Sequence, residues 1–577
     1  MSPSSRAETR WGRRVLLTLG ALLVALVFGI STASVESSLG PHEARYDVTT
    51  DDTITVDLGP LGTLRIDSPL PLTLGVHVTV QEIPASVTQL SQAKTLEALS
   101  GDLQSYLQFF SGPEATVQDV ARALLVDAAL RALLAFGVLV GAWWLLRALV
   151  GAARWQELRA RAEPHGRALA AGTVVILVSA IVLTSSVGSE GQPVASRQTS
   201  PVFDGTPLEG AQVTGRLGGV IDTYGSQVIS ELRKSQEFYA KANTSLEVAW
   251  DERQALIDEQ KEQGAGQGPS GSSTQSPSSA SDVEEPAPSD DPASSEDPAP
   301  SDEAEPSEEP ASDDDDLLTV VVVSDLHCNV GMAPLIRTLV ERSEAPLVLD
   351  AGDTTVNGTS VEQYCVTTFA RAIPKDVELV TSPGNHDSRE TTKFYAKAGA
   401  TVLDGSVVTV DGLRILGDRD PNETRVGAGG TAQASTESAA EESERLATTA
   451  CDDDDGVDLL LIHTPAVGDD TLDQGCSPAQ ISGHLHKHVG PARVGRGVRY
   501  ISSSTAGATL GQPTVGPLHG PAEMTVLRWD KRTRHFLDYQ RVEVRPDATA
   551  SVGPRLRWPS VVPPPSVRNS PWGPAPV

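Results

Sequence analysis

Residues able to hold metal ions recur at five places in the second half of this 577-residue chain, each where an apolar run stops. Asp325 and His327 follow Leu318–Val323 in Ser324-Asp325-Leu326-His327. Asp353 closes Ala351-Gly352-Asp353, and Asn385, His386 and Asp387 sit in Pro383-Gly384-Asn385-His386-Asp387. His463 follows Leu459–Ile462, and His484 and His486 lie in Gly483-His484-Leu485-His486. Apolar strands that deliver carboxylates, an amide and imidazoles to one edge would build a metal pocket, and mixed nitrogen and oxygen ligands suit Mn, Fe or Zn. An Asp-x-His spacing on a strand-end turn lets two side chains reach one ion. A glycine before Asp353 and before Asn385 permits a tight backbone path. The bland alternative is core histidines and capping aspartates, and it would have to hold at seven positions together.

In order and type these five elements resemble the calcineurin-like metallophosphoesterase superfamily, over residues 317–545. The resemblance implies an α/β fold, a four-layer α-β-β-α sandwich. It implies that Asp325, His327 and His486 hold one metal ion, that Asn385, His463 and His484 hold a second, and that Asp353 bridges both. Two ions about 3.5–4 Å apart can clamp the attacking and leaving oxygens of an in-line displacement. Hydroxide bridging them would attack phosphorus. His386 would stabilise the transition state or protonate the leaving oxygen, with Asp387 orienting it.

The elements that must position these residues are legible from pattern. Strands are expected at 318–323, 346–349, 377–380, 459–462, 523–529 and 535–544, with helices at 333–343 and 361–372. Val408-Thr409-Val410, Asp411-Gly412, Leu413-Arg414-Ile415 reads as a hairpin. Residues 417–456 look like an insertion that shapes the mouth of the site. Arg389 and His488 could touch phosphate or lie on the surface, and Asp452–Asp455 reads as a solvated loop. His42, His77, His519 and His535 read as ordinary.

Three apolar runs precede this block. They span 15–34, 132–153 and 168–187, each near the roughly 20 residues that cross a bilayer. Arginines flank them unevenly: Arg6, Arg10, Arg13 and Arg14 before the first, and Arg154, Arg159, Arg161 and Arg167 between the second and third. Basic loops stay inside. Residues 1–14 and 154–167 are therefore expected in the cytoplasm, and 35–130 and everything after 187 outside. A cleaved signal peptide is the alternative for the first run. The alternation of 45–82 makes 35–130 a small β-rich domain. Residues 188–262 read as an extracellular helical or stalk segment. Residues 263–316 read as an acidic disordered linker, and 546–577 as a Pro-rich disordered tail.

Net charge is −31, of which 282–316 and 421–456 supply −23, so the acidity belongs to linker and loop. It argues against a nucleic-acid footprint. The expected partners are a phosphate-ester substrate and the lipid bilayer. The four cysteines all lie in the C-terminal block, where an outside location permits disulfides. Cys328 follows His327 and Cys365 lies after Asp353, while Cys451 and Cys476 bracket the His463 strand. The expected pairs are Cys328–Cys365 and Cys451–Cys476, out of three connectivities. The expected function is a membrane-anchored extracellular phosphoesterase. A non-enzymatic surface binding or sensor module that keeps the fold is the alternative, and a missing ligand would have favoured it.

Overall fold

A computed structural model describes residues 18–39, 42–59, 62–68, 70–71, 73–81, 113–162, 198–199, 210–214, 226–265, 316–359, 362–425, 430–509, 514 and 516–561. The third apolar run lies outside these residues, as does nearly all of the acidic linker.

The chain enters through a short apolar helix, α1 (Thr18–Ser31). Five strands follow: β1 (Ser34–Leu39), β2 (His42–Thr49), β3 (Thr53–Asp57), β4 (Thr63–Asp67) and β5 (Gly75–Val80). Helix α2 (Pro113–Ala162) comes next and breaks at Gly151, whose φ is 73° and ψ 160°. Its Asp119–Gly151 stretch is long and apolar enough to cross a membrane; among the described residues it alone passes that test, by length and composition. Helix α1 is described over 14 residues and ends at Ser31, three residues before the expected end of the first apolar run, and the chain enters β1 at Ser34. Helix α2 also continues to Ala162, into the segment read as a cytoplasmic loop. The two helices touch at Gly29, where a Cβ would fall 2.3 Å from the Ala128 carbonyl oxygen.

The first sheet has the order β1-β2-β5-β3-β4-β7-β6. Its last two strands, β6 (Gln198–Thr199) and β7 (Gln212–Val213), come from beyond the third apolar run. The 188–262 segment is thus not only a stalk: it completes this sheet. It then forms α3 (Ser226–Ala265), which lies on the C-terminal block.

That block is built on strands with period-two burial. In β8 (Leu317–Val323), Leu318, Val320 and Val322 face one core, while Val321 and Val323 face another. Parallel neighbours β9 (Leu347–Asp350), β10 (Glu378–Thr381) and β11 (Thr401–Val402) extend one side of its sheet. Between them run α4 (Ala333–Ser343), α5 (Gln363–Ala372) and α6 (Arg389–Ala398). A second sheet contains β12 (Val408–Val410), β13 (Leu413–Leu416), β16 (Leu459–Leu461), β17 (Ala479–Ser482), β18 (Val489–Val494) and β19 (Gly497–Ile501). A separate hairpin, β14 (Asn422–Arg425) and β15 (Gly430–Gln433), precedes α7 (Ala439–Asp452), and α8 (Asp469–Gln474) follows β16. Helix α7 opens on a Ser438–Glu441 capping box.

The apolar space between the sheets holds Val320, Leu349, Ile415, Leu461, Tyr500 and Trp529. Outside the first sheet lie Leu335 and Leu339 of α4, Phe369 of α5, and Tyr239, Leu246 and Trp250 of α3. Outside the second lie Leu446 and Ala450 of α7. Helix, sheet, sheet, helix is the layer order.

Two boundaries differ from expectation. The tail read as disordered from 546 contributes β22 (Ala550–Arg557), which pairs with β21 (His535–Val544) beyond β20 (Ala522–Asp530). Pro554 is tolerated because β22 is an edge strand, and Trp558 packs 5.2 Å from the Phe536 ring. The linker was read as a tether between separate bodies. Instead α3 before it and β8 after it share one core. Both expected disulfides, Cys328–Cys365 and Cys451–Cys476, are formed.

Candidate metal centre

The five motifs stand at the C-terminal ends of parallel strands. Asp325 and His327 follow β8, Asp353 follows β9, Asn385 follows β10, His463 follows β16, and His484 and His486 follow β17. Facing sheets therefore present their strand ends to one cleft, the usual place for a site in parallel α/β architecture.

The turns that carry these residues are tight. Asp325, His327, Asp353, His484 and His486 all adopt positive φ, between 39° and 73°. Non-glycine residues rarely do so, and such strain clusters at functional sites. Gly384 is required for space: a Cβ there would sit 2.2 Å from Asp353 Oδ1. Gly352, at φ 94°, has Gly384 N 2.6 Å from its would-be Cβ.

Two groups of ligand atoms result. Asp325, His327, Asp353 and His486 bring one atom each within 4.8 Å of one another, and Asp353, His463 and His484 do the same. Asn385 joins the second group, its Oδ1 2.8 Å from His484 Nδ1. All seven sequence-expected metal residues therefore meet, with Asp353 common to both groups.

The ring nitrogens have a consistent arrangement. His463 donates from Nδ1 to the Ala351 carbonyl at 2.6 Å, which leaves Nε2 as the bare nitrogen. That Nε2 is buried without a hydrogen bond, although Asp353 Oδ2 is only 3.1 Å away. His327 Nε2 and His486 Nε2 face each other at 2.9 Å, and His486 Nε2 is 3.2 Å from Asp325 Oδ1. Buried lone pairs converge in this way where a cation can sit between them. Asp, Asn and His donors on two adjoining points fit a pair of divalent ions.

Burial works to raise the Asp353 carboxyl, but His463, His386 and His327 hold it far below the usual range. Burial likewise opposes ionisation of Asp325, and His486 and His463 overcome it. Burial pushes His327 down to about 4, against the pull of Asp353. Burial also works to lower His463 and His486, but Asp353 lifts the first well above its ordinary value and Asp325 lifts the second; these are protons that a bound metal ion would displace.

His386 lies at the rim, its ring 5.0 Å from that of His327. Its Nδ1 is bonded to the Val356 carbonyl at 2.7 Å, so Nε2 is the nitrogen left for chemistry. This corrects the expectation that Asp387 orients His386. The Asp387 carboxylate instead accepts from the Asp353, Gly384 and Thr355 amides at 3.0, 3.0 and 3.1 Å, and from Thr355 Oγ1 at 2.9 Å. It staples the Asp353 turn to the Asn385 turn.

The remaining candidates fall elsewhere. His488 packs on Tyr500, with centroids 5.3 Å apart, and burial pushes it down to about 4. Asp453 forms a paired contact with Arg414 at 2.7 and 2.8 Å, so the acidic run includes a structural staple. Arg389 is exposed at the start of α6.

Two functional neighbours have no sequence signal. Thr424, in the inserted β14, accepts from Asn385 Nδ2 at 2.7 Å. Asp420 is buried and bonded to Thr464, beside His463. Only the length of the 417–456 insertion pointed at this region.

Comparison with known families places the calcineurin-like phosphoesterase model on residues 318–488. Solved structures that match part of this chain include a novel archaeal phosphodiesterase, 12% identical, TM-score 0.25, matched over 39% of this chain and 100% of that one. A novel phosphatase from Mycoplasma pneumoniae is 11% identical, TM-score 0.29, over 41% and 94%. A metallophosphoesterase from Sphaerobacter thermophilus is 12% identical, TM-score 0.19, over 42% and 89%. A search of curated proteins returned no match. The chain carries a calcineurin-like phosphoesterase domain whose Asp and His clusters could bind metal ions.

Proposed function

We propose that this calcineurin-like phosphoesterase domain hydrolyses phosphomonoester or phosphodiester bonds at a two-metal centre, and that the chain holds it on the outer face of a membrane. The observation that carries the reading is the convergence of two donor groups on the shared carboxylate of Asp353. Asp325, His327 and His486 would hold one ion, Asn385, His463 and His484 the other, and Asp353 both. Mn, Fe or Zn suits these donors. Bound ions would supply Lewis acidity and a lowered pKa for coordinated water.

The chain's own residues do the rest. Asp387 fixes the separation of the Asp353 and Asn385 turns through backbone amides. The Val356 carbonyl takes the His386 Nδ1 proton, so Nε2 of the protonated ring would be the atom that gives a proton to a departing oxygen. The His327 ring beside it limits rotation.

Membrane attachment and an outer location are supported by the apolar Asp119–Gly151 helix and by the arginines around the apolar runs. A tag at residue 160 is expected inside intact cells and one after residue 200 outside. The activity is tested with the detergent-solubilised full chain. It should turn over p-nitrophenyl phosphate or its bis ester, lose activity to a chelator and recover it with Mn²⁺. Metal-loaded protein that hydrolyses neither ester overturns the reading.

A further inference from the structure

The inserted hairpin stands directly on the turn that carries Asn385 and His386. Thr424 N donates to the Asn385 carbonyl at 2.6 Å, Asp420 N to the Pro383 carbonyl at 2.8 Å, and Arg425 Nη1 lies 3.5 Å from the His386 carbonyl. The hairpin and the residues that lead into it bring two guanidinium groups to one carboxylate. Arg425 Nη2 is 2.6 Å from Glu423, and Arg419 Nη2 is 3.8 Å from it. Arg389 follows His386 by three residues, is exposed, and makes no ion pair among the described residues.

The charge here runs against the rest of the chain. Arg419 and Arg425 share Glu423, and Arg389 pairs with no acid among the described residues, while the chain as a whole carries −31. Nearby acids are committed elsewhere. Asp418 binds Arg445 at 2.8 Å, Asp420 binds Thr464, and Asp387 is taken by backbone amides. The Arg419 guanidinium is pushed below its ordinary value, first by burial and then against the pull of Glu423 by the Arg389 charge. Asp387 and Asp418 also pull on Arg419, so the charge that lacks an ion-pair partner here is that of Arg389, close enough to Arg419 to act on it. Planar guanidinium groups on a firm hairpin match carboxylate and phosphate oxygens.

We infer that Arg389, Arg419 and Arg425 form a subsite beside the metal centre for a second anionic group on the substrate, a carboxylate or a further phosphate. The inference rests on the phosphoesterase reading and narrows it: the preferred ester carries negative charge beyond the phosphoryl group to be cleaved. Glu423 keeps Arg419 and Arg425 in place and leaves the trio with a net positive charge.

The test uses the Mn²⁺-loaded full chain in detergent and two non-hydrolysable ligands, phenylphosphonate and 4-carboxyphenylphosphonate. Calorimetry should show the carboxylated ligand binding roughly three- to tenfold tighter, the scale of a few partly exposed charge contacts. Added salt should shrink that ratio. Arg389→Ala, at an exposed position that disturbs no packing, should lower the ratio, and Arg389→Ala with Arg425→Ala should bring it near one. Arg389→Lys should restore part of it. Equal binding of the two ligands by the wild-type chain overturns the subsite while leaving the phosphoesterase reading intact. Binding of neither overturns both.

Discussion

Asn385 and Thr424 are joined twice: Asn385 Nδ2 donates to Thr424 Oγ1 at 2.7 Å, and the Thr424 amide donates to the Asn385 carbonyl at 2.6 Å. The first bond decides which end of the side-chain amide faces the centre. It turns Oδ1 toward His484 Nδ1, 2.8 Å away, and keeps the amide nitrogen out. The Thr424 hydroxyl is itself 2.9 Å from that of Thr431 on the partner strand, so the hairpin sets its direction.

Thr424→Val should therefore weaken metal binding on the Asn385 side. Partners that orient a ligand are worth roughly 10–100-fold in affinity. Competition with a graded chelator should show one ion lost early, and Thr424→Ser should retain it. Unchanged metal affinity in Thr424→Val would mean that the amide needs no such support.

Asp387→Asn tests the staple. An asparagine offers one acceptor oxygen where the carboxylate offers two, and its NH2 group would face backbone N–H donors. The cost of leaving such groups unpaired is about 1–3 kcal/mol. The unfolding temperature of the metal-loaded chain should fall by roughly 3–10 °C. A variant as stable as wild type would leave the two turns without a need for this carboxylate.

The site was legible in the sequence because each ligand sits where a buried strand ends, and strand ends are read from apolar runs. The supports were not. His386 is held by a main-chain carbonyl, which has no sequence signature, so the adjacent Asp387 was given that work. Thr424 comes from an insertion whose pairing depends on tertiary contact. The β22 strand was hidden by Pro554 and by the Pro-rich residues after it, since an edge strand tolerates what an interior strand does not. In α3, Tyr239, Leu246 and Trp250 are buried in the core of the C-terminal block, a partner that the reading of 188–262 as a helical or stalk segment did not supply.

Glu442 gives a pH dependence away from the metal residues. It is 3% exposed in the first turn of α7, and burial, then Asp418, push its carboxyl up to about 8. The folded chain thus holds this proton more tightly than the unfolded chain. The associated stability is full below the ordinary glutamate value near 4.5 and is lost as pH rises through about 8. Glu442→Gln should unfold at a higher temperature than wild type at pH 9, with the gap closing toward pH 5. A gap that does not change with pH would contradict the assignment.

Helix α3 should hold the catalytic block after the linker is cut. Tyr239 Oη lies 2.9 Å from Asn329 Oδ1, Ser245 Oγ accepts from the Ala550 amide at 2.9 Å, and Arg253 donates to the Val552 carbonyl at 3.0 Å. With a protease site placed within 266–315, the two fragments should co-elute on size exclusion and separate only on denaturation. Leu246→Asp with Trp250→Asp should release the C-terminal fragment after the same cut. Release from the unmutated chain would mean that the linker, not the helix, does the holding.

The central claim is that one carboxylate serves two ions while His386 works from outside the ligand set. Metal content of the purified full chain, measured with turnover in the same samples, tests it most directly. Wild type should carry two ions per chain. Asp353→Ala should lose at least one of them and nearly all activity. His386→Ala should keep both and turn over roughly 10²–10⁴-fold more slowly, the range of a positioned proton donor. A wild-type chain that binds no divalent metal, or an Asp353→Ala chain that keeps two ions, contradicts the account.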